Sequence, residues 1–268
     1  MMKKPNNTHA RKPKVLVVLP TLGKRNDLLR LTLKSIAAQK PITFDIVMVF
    51  PLKNKETLKL AQQYNAITVD DPGGMSAAVN IGVAQAKSWH EYITWIGDDD
   101  FLKQNSLATT CQALDSNPDA VVAFGYCEYI NEKGEHIFTS RAGRFAPWIM
   151  RWGPNLVPMP GLLLRKSALK KAGIFDPQNK YSMDLDMLLR LRKQGKFINT
   201  HTVLAAFRWH SNSQTVSNRN AVIKETELVK RKYLPKPLQV VAPTWERPVR
   251  LATKLIARRV TAKAKRHK

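Results

Sequence analysis

The sequence predicts an α/β fold, a doubly wound and mostly parallel sheet flanked by helices, and three observations carry that prediction. Runs such as 14–19 (KVLVVL) and Phe44–Phe50 (FDIVMVF) are apolar on both faces, as strands of a covered parallel sheet are. Helical spacing of apolar residues, as at Leu28, Leu29, Leu31, Leu33 and Ile36, alternates with those runs. The connections between them are short and carry Pro, Gly and Asn. At 268 residues the chain builds one domain of ordinary size with tails, and 44% hydrophobic content with 12 Gly and 16 Pro excludes a disordered or collagen-like protein.

The elements follow in order. Strand 14–19 runs into the loop Pro20-Thr21-Leu22-Gly23, and Asn26 or Asp27 is placed to cap the helix that ends at Gln39-Lys40-Pro41. Strand 44–50, helix 55–64 and a short strand 66–69 complete the doubly wound opening. Asp71-Pro72-Gly73-Gly74 turns the chain into a helix over 75–86, and strand 90–96 (HEYITWI) leads straight into Gly97-Asp98-Asp99-Asp100. Helix 106–115 stops before Pro118, and strand 120–130 precedes the turn Asn131-Glu132-Lys133-Gly134. Residues 139–160, rich in Arg, Gly, Pro and Trp, are expected to form an irregular, mobile segment over a site. Strand 161–165, helix 166–172 and helix 183–193, with Ser182 as its cap, end the regular pattern.

The 44 Lys+Arg against 20 Asp+Glu leave +24, which calls for an anionic partner. More than half of that excess lies in the tails, with +5 in residues 1–14 and +8 in residues 245–268. Cys111 and Cys127 cannot make a disulfide framework and are expected to be buried thiols in a reducing compartment. The opening MMKKPNNTHARKPK lacks the apolar stretch of a secretory signal, and no apolar run approaches the roughly 20 residues that cross a bilayer. A cytoplasmic protein is therefore expected.

Gly97-Asp98-Asp99-Asp100 is the most informative tetrapeptide. Three adjacent carboxylates at the carboxyl end of a buried strand repel one another unless a cation sits among them, and ligands of open α/β sheets bind at such strand ends. A hard divalent ion held by one or two carboxylates and by diphosphate oxygens suits the cluster; a solvated acidic turn capping the next helix is the alternative.

With these residues in view the chain resembles the family 2 glycosyltransferases of GT-A fold. The similar elements are VVLPTLGKR at 17–25, GGMSAAVNIGVAQAK at 73–87, WIGDDDFL at 95–102, FD at 175–176, MDLDMLLRLRKQGK at 183–196 and FRWHSNSQTVS at 207–217, in the family's order. The resemblance implies a GT-A domain over 14–220, with a nucleotide-binding half at 14–104 and an acceptor half at 105–220. A basic N-terminal tail precedes it at 1–13, and a C-terminal basic helical extension follows at 221–268. It implies that Pro20, Thr21 and Gly23 lie against base and ribose, that Gly74, Asn80 and Gly82 belong to the helix closing around the nucleotide, and that Asp98 and Asp99 match the acidic motif. Asp99 ranks first as metal ligand, with Asp98 and Asp100 shared between ribose and metal; His210 reaches the metal or the leaving diphosphate, and Arg208 neutralises phosphate. One departure is plain: where relatives end the second strand with a base-recognising aspartate, Phe50-Pro51-Leu52-Lys53 stands here. Asp70 and Asp71 either take over that task or merely form a turn.

Asp184 and Asp186 lie about 200° apart around a helix, so only one faces a cleft. Asp184 shares its side with Met187, Leu188 and Leu191, whereas Asp186 is expected to point outwards or to pair with Arg190 at i+4. The resemblance implies that Asp184 is the general base for the acceptor hydroxyl; an acid stabilised by the helix dipole is the plainer reading. Trp152 and Trp209 either stack on a sugar or belong to the core. From Pro248 onwards, Val249, Ala252, Ile256 and Val260 form a narrow stripe among basic residues, a helix suited to an anionic membrane surface and expected to be dispensable for the fold. A solvated tail or an RNA-binding arm is the rival.

Together these expectations describe a metal-dependent inverting transferase that uses Mn2+ or Mg2+. It moves a sugar from a nucleoside-diphosphate donor to a glycan or lipid-linked acceptor at the inner face of the cell membrane. A basic nucleic-acid-binding protein is the alternative, but no RRM, KH, zinc-knuckle or helix-turn-helix signature appears, so no nucleic acid is expected. A nucleotidyltransferase would need a Gly-rich phosphate loop followed by lysine, which is absent.

Overall fold

The computed structural model describes residues 14–210 and 217–266. Strands β1 (Val15–Pro20), β2 (Phe44–Phe50), β3 (Ile67–Asp70) and β4 (Tyr92–Trp95) pair in parallel in the order β3-β2-β1-β4. Helices α1 (Asn26–Ala37), α2 (Lys55–Gln63) and α3 (Met75–Val83) cross between them. The two-sided apolar character of β1 and β2 has its cause here. Leu16, Val18, Val47 and Val49 pack with Ala78 and Val79 of α3, while Val15, Val17, Leu19 and Met48 pack with Leu29, Leu33 and Ile36 of α1. Gly82 permits the closest approach of α3, since a Cβ there would overlap Val18.

The second half of the sheet is mixed. After β5 (Phe101–Leu102) come α4 (Ser106–Asp115), β6 (Ala120–Ile130), β7 (His136–Ser140), α5 (Ala146–Ile149), β8 (Leu163–Arg165), α6 (Lys166–Ala172), α7 (Met183–Leu191) and β9 (Lys196–Arg208). Strand β8 lies antiparallel between β4 and β6, β6 runs parallel to β9, and β5 closes that edge against Ala205 and Ala206 of β9. Strand β7 forms a hairpin with β6 across the expected turn. Strand β9 was not visible in the sequence, because its first half is only partly buried and its polar residues show no alternation. Its pairing with β5 matters most, for it brings the end of β9 beside the strand-end carboxylates.

Among the described residues, α8 (Arg219–Lys232), α9 (Lys236–Val241) and α10 (Pro243–Arg266) follow. Helix α10 begins ahead of the expected Pro248, which sits inside it. Its expected stripe is divided: Val249 and Val260 are half-buried, whereas Ala252 and Ile256 face outwards. The inner side is packed. Trp245 meets Trp152 edge to face at 5.9 Å, Arg231 pairs with Glu246, Arg250 pairs with Glu227 at 2.6 Å, and Thr261 Oγ1 accepts from Trp209 Nε1 at 3.2 Å. These contacts seat the helix on the domain. Among the described residues no helix is long and apolar enough to cross a membrane.

A side chain at Gly82 recovers up to about 1 kcal/mol of helix propensity but overpacks Val18 at about 1–3 kcal/mol. Gly82→Val, which regains less and overlaps more, is expected to lower the urea midpoint further than Gly82→Ala. Equal midpoints for both variants and wild type would contradict the close approach.

Candidate active site

Beyond the end of β4 the chain turns through Gly97-Asp98-Asp99-Asp100, and Asp98 and Asp100 are buried. A buried carboxylate is costly without donors, and each finds them. Asp98 accepts from Thr21 Oγ1 at 2.5 Å and from Arg25 NH2 at 2.5 Å. Asp99 Oδ2 accepts from Arg25 NH1 at 2.6 Å and lies 2.7 Å from His210 Nε2. Asp100 accepts from the Arg208 main-chain N–H at 3.0 Å. Burial raises the pKa of Asp98 and, with Asp99 adjacent, of Asp100. Asp99 is held below the usual range: burial is outweighed by the His210 contact and the Arg25 charge.

Thr21 and Arg25 sit on the loop after β1, whose turn is Gly23 at φ 65°. A Cβ at Gly23 would strike Asn54 and Thr57, and Asn54 Nδ2 donates to the Gly23 carbonyl at 3.0 Å. Pro20, the last residue of β1, is buried opposite Val49. Gly74, at φ 90° before α3, borders an open cavity of about 430 Å³ shared with Ser76, Lys180 and Asn218. Gly74 thus borders this cavity, and Pro20, Thr21 and Gly23 line neither it nor the smaller one beside Asp184.

Two residues expected to meet the ligand are engaged by the chain itself. Arg208 is buried, and its guanidinium donates to the carbonyls of Asp99, Asn131 and Glu132 at 3.2, 3.0 and 2.8 Å; it ties β9 to the β6–β7 turn and does not enter the cleft. Asn80 clamps the Phe175 backbone through both ends of its amide at 2.8 Å. Arg25 is the arginine that reaches the carboxylates, and the sequence signal for it lay within PTLGKR. Asp70 accepts from Leu52 N–H and Asp71 from Gly73 N–H, each at 3.0 Å, so both are turn residues.

Asp184 stands on the first turn of α7 and borders a cavity of about 150 Å³ together with Gly97, Asp100, Trp95, Met159 and Phe207. Burial pushes its carboxyl up to about 6. Asp186 does pair with Arg190, Oδ2 to Nε at 3.0 Å, but it is buried rather than outward, because Tyr233 at the end of α8 covers it and donates to Oδ1 at 2.6 Å. Glu225 of α8 was missed. Its carboxylate accepts from the backbone N–H groups of Lys180, Tyr181 and Ser182 at 3.2, 2.7 and 2.7 Å, fixing the entry into α7. Ser182 Oγ bonds Thr226 at 2.9 Å instead of capping the helix. Trp152 packs on Trp245, and Trp209 on Tyr129 and Phe207, so neither borders the 150 Å³ cavity.

The sequence model described as Glycosyl transferase family 2 matches residues 16–173, more than half of the chain. The chain belongs to that family. It is an enzyme of the transferase class with a GT-A fold. This family 2 glycosyltransferase is 26% identical over 243 residues to an uncharacterized glycosyltransferase of Rickettsia typhi, covering 86% of this chain and 74% of that protein. A counterpart in Rickettsia prowazekii is 25% identical over 228 residues, covering 80% and 70%. Among solved structures it is similar to Staphylococcus aureus TarS 1–349 in complex with UDP-GlcNAc, with TM-score 0.64, 15% identity and coverage of 84% of this chain and 69% of that one. It is also similar to the mannosyltransferase PcManGT of Pyrobaculum calidifontis in complex with GDP-Man and Mn2+, with TM-score 0.62, 15% identity and coverage of 94% and 74%.

Because the buried Arg208 spends its donors on three backbone carbonyls, Arg208→Met is expected to cost at least about 2 kcal/mol of stability. The remaining folded protein should keep most of its UDP or GDP affinity. Calorimetric melting and nucleotide titration check this; a variant of unchanged stability with lost nucleotide affinity would restore the phosphate role.

Proposed function

We propose that this family 2 glycosyltransferase is a metal-dependent inverting enzyme. It moves a sugar from a nucleoside-diphosphate donor to a hydroxyl of a glycan or lipid-linked acceptor, a cell-surface glycan precursor. The observation that carries the reading is that Asp184, a carboxylate with its pKa lifted into the range of a working base, shares one cavity with Gly97 and Asp100 of the strand-end turn. TarS holds UDP-GlcNAc and PcManGT holds GDP-Man and Mn2+ in their complexes, which supports a nucleotide-sugar donor and a divalent ion.

The donor set suits such an ion chemically, a carboxylate and an imidazole beside diphosphate oxygens, although no three-residue ligand cluster occurs among the described residues. Asp99 and His210 would hold it, with Asp98 and Asp100 beside them; when bound, Mn2+ or Mg2+ supplies positive charge to the leaving diphosphate. Thr21 and Gly23 border the donor on one side and Gly74 on the other. Asp184 accepts the acceptor's proton while the acceptor oxygen bonds to the anomeric carbon and the bond to the diphosphate oxygen breaks. That single displacement inverts the centre.

The work site is assigned to the inner face of the membrane. Leu251, Leu255 and Ile256 on the outward side of α10 are 61%, 47% and 59% exposed, with Arg247, Arg258 and Arg259 also exposed. An apolar row set among cations suits anionic lipid.

Asp184→Asn is expected to lower turnover by at least about a hundredfold with donor affinity nearly intact. Wild-type turnover should rise with pH through about 6, as the Asp184 carboxyl loses its proton, and the variant should lack that limb. Turnover that survives the substitution, or nucleotide binding equally tight in excess EDTA, would overturn the base or the metal respectively. Vesicle co-sedimentation should rise with anionic lipid content, fall with salt and drop when Leu251, Leu255 and Ile256 are all changed to Ser. Binding indifferent to lipid charge would sink the membrane assignment.

A further inference from the structure

We propose that Arg25 is a displaceable counter-ion that holds the cation's place between Asp99 and His210 and leaves it for the donor diphosphate. The inference rests on the metal reading above. It concerns what this chain puts at the metal position when no donor is there.

Arg25 NH1 lies 2.6 Å from Asp99 Oδ2 and 2.9 Å from His210 Nε2, while NH2 lies 2.5 Å from Asp98 Oδ1. One guanidinium nitrogen therefore faces both atoms to which the proposed function gives the divalent ion. An ion held by those two atoms would crowd the same guanidinium nitrogen, so guanidinium and ion would exclude each other by overlap as well as by charge. The Asp99–His210 distance of 2.7 Å is that of a hydrogen bond, so an ion taken up by both residues would replace that bond as well.

Two arginines touch the acidic cluster, and they differ in freedom. Arg208 is buried and fixed to three carbonyls. Arg25 keeps 38% of its side chain exposed, and its side-chain hydrogen bonds go to Asp98 and Asp99, with His210 Nε2 beside it at 2.9 Å. It can swing aside without leaving a hole in the core. A diphosphate arriving beside the cluster offers a guanidinium a planar two-point partner, and the ion then takes over the carboxylates. In both states a cation stands against the carboxylates. The consequence is that free ion binds weakly, and that nucleotide and ion reinforce each other beyond their direct contact.

Mn2+ affinity, followed by electron paramagnetic resonance with and without UDP or GDP, tests this in wild type and Arg25→Gln. Free Mn2+ is expected to bind about tenfold or more tightly to Arg25→Gln than to wild type, and the enhancement by nucleotide should shrink by a similar factor. Arg25→Lys, which keeps the charge but cannot bridge both carboxylates, should fall between. Arg25→Gln should melt lower than wild type in EDTA and regain more on adding Mn2+, a comparison that Arg25→Lys supplies should Arg25→Gln not fold. If wild type binds nucleotide with Mn2+ but Arg25→Gln holds free Mn2+ no more tightly, the counter-ion role is overturned and the metal reading survives. If wild type shows no Mn2+-dependent nucleotide binding, both fall.

Discussion

Three consecutive carboxylates at the end of a buried strand govern the arrangement of everything near them. Taking one carboxylate out of water is costly, and placing three side by side adds their mutual repulsion. The fold answers with donors from two distant stretches: Thr21 and Arg25 from the loop after β1, and His210 with the Arg208 backbone from the end of β9. The two halves of the domain are thus joined through the acid cluster. The same bonds that neutralise it set the positions of the first loop and of the segment carrying His210.

A second layer of positioning comes from α8. Glu225 gathers three consecutive N–H groups before α7, and Tyr233 with Arg190 occupies Asp186. Of the two acids on that turn, one is consumed by structure and the other is left beside the cavity. The helix dipole does favour an acid at that place, but Asp184 is raised rather than lowered in pKa, so burial outweighs it.

These features explain what was legible in the sequence. Strands β1 and β2 and helices α4 and α6 could be read because their signals are local: two-sided apolar runs, or helical spacing closed by a breaker. The acid cluster was legible for the same reason, being contiguous. Strand β9 was not, since a strand half open to solvent with a polar start shows neither alternation nor an apolar run. A role is expected of Arg208 and none of Arg25, because both lie in motif-like stretches and only burial, a property of the assembled sheet, separates them. Of the two alternatives for Asp186, the pairing with Arg190 is the one observed, and its burial comes from Tyr233, 47 residues away.

The C-terminal helix shows the same limit from another side. Its composition, sparse apolar residues among many cations, describes a surface helix but does not say which side meets the protein. The structure divides the expected stripe, because neutral and small residues such as Thr253, Ala257 and Thr261 can lie against the domain as well as valines can. Packing through small residues releases Leu251, Leu255 and Ile256 to the outside. The inner side then reaches Trp209 through Thr261, one residue from His210. Thr261 thus seats the far end of α10 on the residue next to His210, so the extension packs on the same part of the domain that carries the imidazole.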